Sequence, residues 1–230
     1  MAEMLLVQAG DVRLAYRVYG PASAPPVVLL HGLGGGGGGW DEVAAALAGS
    51  WRVYAVDLRG HGGSDWPGEY TLPLLRDDMV RFLDTLGLAQ VDLVGHSIGG
   101  AVAYLLAMRH PGRVRRLVLE EPAPPWPRVP PAPSRPAGEL PFDWAVTTLS
   151  AEASDPPASS RAGLSSISAP TLVIAGGPDS HVNQDRLAEM AGLIPDCRLV
   201  MIPAGHLVHA GQPDRFIAAV TSFLSGPELP

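Results

Sequence analysis

Val91-Asp92-Leu93-Val94-Gly95-His96-Ser97-Ile98-Gly99-Gly100-Ala101-Val102-Ala103 is the stretch on which the fold turns. Its first four residues form a short apolar run of the kind found in a strand buried on both faces. Its last five are small residues that open a helix. Between them lies Gly95-His96-Ser97-Ile98-Gly99, a G-x-S-x-G pentapeptide. A serine on so sharp a strand-to-helix turn has strained backbone angles and is pushed out at the sheet edge. The flanking glycines are needed because a Cβ at either place would meet the neighbouring strand or helix. The turn also aims a helix N-terminus at the serine, which favours developing negative charge. The plainer reading is a serine that caps the helix after a glycine turn.

Working outward, the same alternation recurs along the chain. Met4–Val7 and Val12–Val18 read as an opening antiparallel hairpin that turns at Gly10-Asp11. Val27–Leu30, Arg52–Val56, Val91–Val94, Arg116–Leu119, Thr171–Ala175 and Arg198–Ile202 are short runs rich in Val, Leu and Ile, as buried central strands are. Between them, Trp40–Ala48, Leu72–Leu86, Ser97–Arg109, Gln184–Leu193 and Pro213–Leu224 carry helical patterns. Strand-then-helix alternation predicts an α/β fold with a mostly parallel eight-stranded sheet covered by helices on both faces.

Residues 122–163 break the rhythm, holding 11 of the 24 prolines. Proline removes backbone donors and blocks regular helix, so this is not an ordinary crossover. We read it as a short cap or lid inserted into one core domain made of residues 1–121 and 164–230. Phe142-Asp143-Trp144-Ala145-Val146 is its one apolar cluster able to fold back onto the body.

Composition narrows the functions. A chain of 230 residues with 47% apolar and 17% charged residues reads as one globular domain. At this length it buries roughly three-quarters of its unfolded surface. The net charge of −7 argues against nucleic acid as a partner, which needs clustered positive charge. All 16 basic residues are arginine, and without lysine no Schiff-base mechanism is available. Cys197 is the only cysteine, so no intrachain disulfide forms; we read it as a structural thiol. No signal-peptide pattern opens the sequence and no apolar run approaches the roughly 20 residues of a membrane span. The expectation is a cytoplasmic protein without a membrane partner, monomeric or homodimeric.

A serine hydroxyl is a poor nucleophile until a base takes its proton. His206, in Pro203-Ala204-Gly205-His206, follows the last strand and precedes the last helix. That places it at the carboxyl edge of the sheet with Ser97, where open α/β sheets bind ligands. His209, three residues on, is the rival. A carboxylate must fix the tautomer of the base. Asp179, after Thr171–Ala175 and Gly176-Gly177-Pro178, gives the order Ser97…Asp179…His206. Glu120 and Glu121, ending the preceding strand, are the alternatives. Oxyanion donors are expected from the main-chain N–H groups of Ile98 and of Leu33, which sits in His31-Gly32-Leu33-Gly34. The six glycines Gly34–Gly39 suggest a phosphate cradle at first sight, but no G-x-x-x-x-G-K-[ST] is present.

Taken together, these motifs resemble the α/β-hydrolase superfamily, in its serine-nucleophile, esterase- and lactonase-like branch. His31-Gly32 resembles its oxyanion loop. Asp57-Leu58-Arg59-Gly60-His61-Gly62-Gly63-Ser64 resembles its D-x-R-G-x-G-x-S stretch, and Gly95–Gly99 its nucleophile elbow. Pro170–Ile174 with Asp179 resembles the acid-bearing strand, and Gly205-His206 with Pro213 and Phe216 the histidine loop. The likeness covers residues 10–121 and 168–224. Asp57 and Arg59 then read as loop braces, and His31 as an orienter of its loop.

The resemblance implies acyl chemistry on a small molecule, an ester, lactone or thioester, through an acyl-enzyme and without metal or organic cofactor. Carbon–carbon bond hydrolysis and perhydrolysis use the same triad. A non-hydrolytic binding protein, cyclase or isomerase of this fold is the reading from another class. Trp126, Phe142 and Trp144 could line an apolar substrate pocket or anchor the insert; Trp40 and Trp66 read as core or rim.

Overall fold

A computed structural model describes residues 2–129, 134–154 and 156–226. Eight strands form one sheet: β1 (Met4–Ala9), β2 (Val12–Tyr19), β3 (Pro26–Leu30), β4 (Arg52–Val56), β5 (Val91–His96), β6 (Val114–Glu120), β7 (Thr171–Ala175) and β8 (Cys197–Met201). Their order across the sheet is β1-β2-β4-β3-β5-β6-β7-β8. β2 runs antiparallel to β1 and β4, and every other pair is parallel. This is the expected α/β architecture.

The central strands are buried on both faces, and successive side chains alternate between two cores. Val27 and Leu29 of β3, Val53 and Ala55 of β4, and Leu172 and Ile174 of β7 face one core. Helices α1 (Asp41–Leu47) and α7 (Pro213–Leu224) cover it with Val43, Leu47, Phe216 and Val220. Val28, Leu30, Leu93, Leu117, Leu119 and Val173 face the other core. That one is covered by α2 (Leu72–Thr85), α3 (Ile98–Arg109) and α6 (Gln184–Leu193). Trp40 is fully buried, whereas Trp66 is exposed at the rim.

Two outcomes differ from the sequence reading. β8 is an edge strand, not a doubly buried one: Leu199, Val200 and Met201 are exposed, because among the described residues no further strand pairs with it. β5 and β6 also run longer at their carboxyl ends, reaching His96 and Glu120. That extension carries two polar side chains into the site.

The proline-rich insert contributes two short helices, α4 (Thr148–Glu152) and α5 (Ala158–Gly163). The cluster Phe142–Val146 does fold back. His61 and Phe142 form an antiparallel bridge, Gly62 N–H donates to Pro141 O and Asp143 N–H to Gly60 O. Tyr70 O–H donates to Asp143 Oδ2 at 2.7 Å, and Val146 and Leu149 are fully buried. Residues 130–133 of the insert lie outside the described residues.

Candidate active site

The elbow forms because strand β5 must give way to helix α3 within one residue. Ser97 bridges them at φ 53° and ψ −116°, a conformation L-residues rarely adopt. Holding it costs about 1–3 kcal/mol, which the surrounding packing must overcome. Glycine at 99 is required by contact: a Cβ there would lie 2.5 Å from the carbonyl oxygens of Leu30 and His31. A Cβ at 95 would lie 2.5 Å from Gly99 O. Ser97 makes no side-chain capping bond to α3, so the helix-cap reading fails. Ile98 is the first residue of α3, where a main-chain N–H has no intrahelical acceptor. Among the described residues its N–H has no acceptor outside the helix.

The glycine-rich loop is built by its neighbours. His31 Nδ1–H donates to Gly32 O at 2.7 Å, and its Nε2 accepts from Leu58 N–H at 2.9 Å. His61 Nδ1–H donates to Arg59 O at 3.0 Å, and its Nε2 accepts from Gly34 N–H at 3.1 Å. Both rings are therefore neutral. Burial, reinforced by the nearby His61, lowers His31 to about 3, and burial lowers His61 in the same direction. Asp57 accepts Gly37 N–H at 2.6 Å and Gly63 N–H at 2.9 Å, tying the glycine run to the D-x-R-G-x-G-x-S stretch. Arg59 is locked on Asp78 by bonds of 2.6 and 2.7 Å, both side chains being 2% exposed. These are the bracing roles expected of Asp57, Arg59 and His31. Leu33, flanked by the two histidine-held glycines, is half-buried beside this loop.

His206 stands where the chain leaves β8. Its Nδ1 faces Glu121 Oε2 at 3.4 Å, so Nε2 is left as the acceptor. His96 Nε2–H donates to the main-chain oxygen of His206 at 2.9 Å, joining the residue before Ser97 to the histidine loop. No direct hydrogen bond joins Ser97 Oγ and His206 among the described residues. Bonds of this kind are often loose without substrate and tighten in the complex. The His96 and His181 rings flank His206, with centroids at 4.6 and 4.1 Å. Burial lowers His96 to about 4, with His206 and His209 adding to the effect against Glu120.

The rival histidine His209 and the three carboxylates occupy separate places, and only Asp179 departs from the sequence reading. His209 is buried, stacked on Trp40, with both its N–H and its Nδ1 on Glu120. Asp179, expected against His206, is exposed and makes no hydrogen bond or ion pair among the described residues. The reason is local: Gly176 N–H and Ser180 O–H both donate to Glu121, and Gly177 N–H to Gln184 Oε1. Those bonds turn the loop inward at 176 and 180 and leave Asp179 on its outer side. The sequence signal for Glu121 was its place at the end of a central strand, shared with Glu120.

Of the three aromatics, Phe142 covers the loop. Its ring stacks on His61 with centroids 5.9 Å apart, and Trp144 lies beside it at 6.4 Å. Trp126 has a separate setting: 5% exposed, with the Arg161 and Arg186 guanidinium groups over its ring at 5.0 and 5.7 Å. A groove runs between the glycine loop and the histidine loop, lined by Leu33, Gly36, Trp40, His96, Leu207 and His209. Among the described residues no set of three or more His, Cys, Asp or Glu side chains is arranged to hold a metal ion. No helix among them is long and apolar enough to cross a membrane.

Comparison with known proteins agrees with this architecture. A mouse sn-1-specific diacylglycerol lipase is 29% identical over 261 residues, covering 90% of this chain and 83% of its own. An uncharacterized protein of Mycobacterium tuberculosis is 41% identical over 108 residues; the match takes in 46% of this chain and 31% of that protein. The crystal structure of an enol-lactonase from Burkholderia xenovorans superposes with a TM-score of 0.84 at 26% identity, covering 96% of this chain and all of that one. The family model for the alpha/beta hydrolase fold matches residues 25–162, and the chain belongs to that family.

Proposed function

We propose that this protein is a serine hydrolase that cleaves a small carboxylic ester, lactone or thioester through an acyl-enzyme on Ser97. The observation that carries this reading is the backbone of Ser97: a non-glycine residue held at φ 53° between β5 and α3, with no hydrogen bond to its hydroxyl among the described residues. Strain of this kind is retained where it presents a reacting group. His206 takes the serine proton through Nε2, and the resulting imidazolium returns it to the leaving group. The developing oxyanion is met by the N–H groups of Ile98 and Leu33 and by the N-terminus of α3. Water then attacks the acyl-enzyme by the reverse path.

The order of the glycine loop supports hydrolysis over a non-catalytic role. Gly34, Gly35, Gly37 and Gly39 each donate a main-chain hydrogen bond, so the loop is held before substrate arrives. Preorganised donors are what oxyanion stabilisation requires. The groove at Leu33, His96 and Leu207 is open beside this loop and suits the leaving group. The lipase and lactonase names of the relatives above fit an ester or lactone substrate, and the same machinery extends to carbon–carbon cleavage or perhydrolysis.

The test is a fluorophosphonate probe with adduct location by peptide mass spectrometry, alongside p-nitrophenyl acetate hydrolysis. Labelling of Ser97 in the wild type, and loss of labelling and turnover in Ser97→Ala, are expected. An unlabelled, folded wild type would move the protein to the non-hydrolytic reading.

A further inference from the structure

Among the described residues, only Ser97 and Glu121 are non-glycine residues with positive φ. Glu121, at φ 44°, directly follows the last residue of β6. Its N–H still bonds the sheet, donating to Ile174 O at 2.9 Å, while its side chain is fully buried. The twist separates two consecutive carboxylates. Glu120 takes His209, and Glu121 takes His206, five residues past the end of β8. A strained glutamate with no role in the core is a site feature that calls for a reason.

We propose that Glu121 is the positioning carboxylate of this enzyme: it fixes the tautomer of His206 and stabilises the imidazolium, in place of Asp179. The inference rests on the serine-hydrolase reading above. Glu121 is held in four ways. Gly176 N–H donates to Oε1 at 2.5 Å, Gln184 Nε2–H donates to Oε1 at 3.1 Å, Ser180 O–H donates to Oε2, and His206 Nδ1 approaches Oε2. A carboxylate receiving several donors stays ionised despite burial. Burial alone would raise this carboxyl, but the bonds from His206, Ser180, Gly176 and Gln184 outweigh it and hold it below its usual range. Asp179 has none of this support, and an exposed carboxylate is solvated and free to rotate.

The physical consequence is that the anion moves from the turn after β7 to the end of β6. There it is anchored by the sheet through its own N–H and by the β7 turn through its side chain. Because Ser180 and Gln184 share this carboxylate, the β7 turn serves as a clamp on Glu121 and not as the source of the anion.

The test compares Glu121→Gln, Glu121→Asp and Asp179→Asn in the full chain, with folding checked by circular dichroism. Wild-type labelling by the fluorophosphonate establishes the reading on which the inference rests. Expected then is a fall in kcat on the order of ten-thousandfold for Glu121→Gln, as when a triad carboxylate is made neutral. Its acidic limb in the pH–rate profile moves to lower pH, since the imidazolium has lost its anion while His96 and His181 still flank it. Partial rescue is expected in Glu121→Asp, and a change within threefold in Asp179→Asn. A loss in Asp179→Asn equal to or larger than that in Glu121→Gln would overturn the assignment. Proton NMR decides it without turnover. A downfield imidazole N–H signal should survive Asp179→Asn and Glu120→Gln and vanish in Glu121→Gln or, should that variant fail to fold, shift in Glu121→Asp. The His209 N–H held by Glu120 is set aside as the signal lost in Glu120→Gln; if the signal that survives Glu120→Gln is unmoved by both Glu121 variants, or is lost in Asp179→Asn, the assignment is refuted.

Discussion

His96 Nε2 stands 2.9 Å from the main-chain oxygen of His206, so the residue that precedes Ser97 holds the loop that carries the proposed base. The bond crosses from the end of β5 to the segment after β8. It sets the height of the imidazole over the elbow. His96→Ala should lower kcat by on the order of a hundredfold, since a misplacement of about 1 Å costs that much. KM for a short ester should change little. Steady-state kinetics on p-nitrophenyl acetate decide it; an unchanged kcat would show that the histidine loop holds itself.

Buried neutral histidines make the fold acid-sensitive. Burial lowers His31 to about 3 and His96 to about 4, from an ordinary 6.5. Their folded forms therefore bind a proton later than the unfolded chain does. Stability is fully present above pH 6.5 and declines as pH falls toward the folded values, each histidine contributing on the order of 1 kcal/mol per pH unit. The urea midpoint should drop between pH 7 and pH 5. A His96→Asn variant should show a shallower drop, and an equally steep one would remove His96 from the account.

Arg59 and Asp78 are paired at 2.6 Å with both side chains 2% exposed. Breaking such a pair from one side leaves an unmatched buried charge, at a cost of about 3–5 kcal/mol. Asp11, 3.2 Å from Arg59 but exposed, compensates only in part. Asp78→Ala should accordingly unfold at markedly lower urea, and a shift equivalent to less than about 1 kcal/mol would mean that Asp11 takes over the guanidinium.

Gly99 faces two carbonyl oxygens at the distance where its Cβ would stand, 2.5 Å away. Backbone atoms cannot move aside as a flexible side chain does. Gly99→Ala should lose about 3 kcal/mol of stability and displace the elbow. Chemical denaturation and fluorophosphonate labelling rate together report both effects. A variant with wild-type stability and labelling would show that β3 and α3 can separate freely.

Much of this molecule is written locally. The short continuous apolar runs, the glycine pair around Ser97 and the segments Gln184–Leu193 and Pro213–Leu224 each specify their element from neighbours in sequence. The order of strand and helix then fixes which loops share the carboxyl edge, and with them Ser97 and His206. What the sequence left open is which carboxylate reaches His206, because Asp179, Glu120 and Glu121 all belong to that edge. Tertiary structure decided this. The sheet brings Gly176, Ser180, Gln184 and His206 around one side chain from 55 to 85 residues away. Positive φ at Glu121 then points it away from its neighbour Glu120. Neither feature has a local signature, since a glutamate after a strand adopts such a backbone only when contacts distant in sequence hold it there. The edge exposure of β8 has the same origin: Leu199, Val200 and Met201 read as buried, and only the end of the sheet leaves them bare.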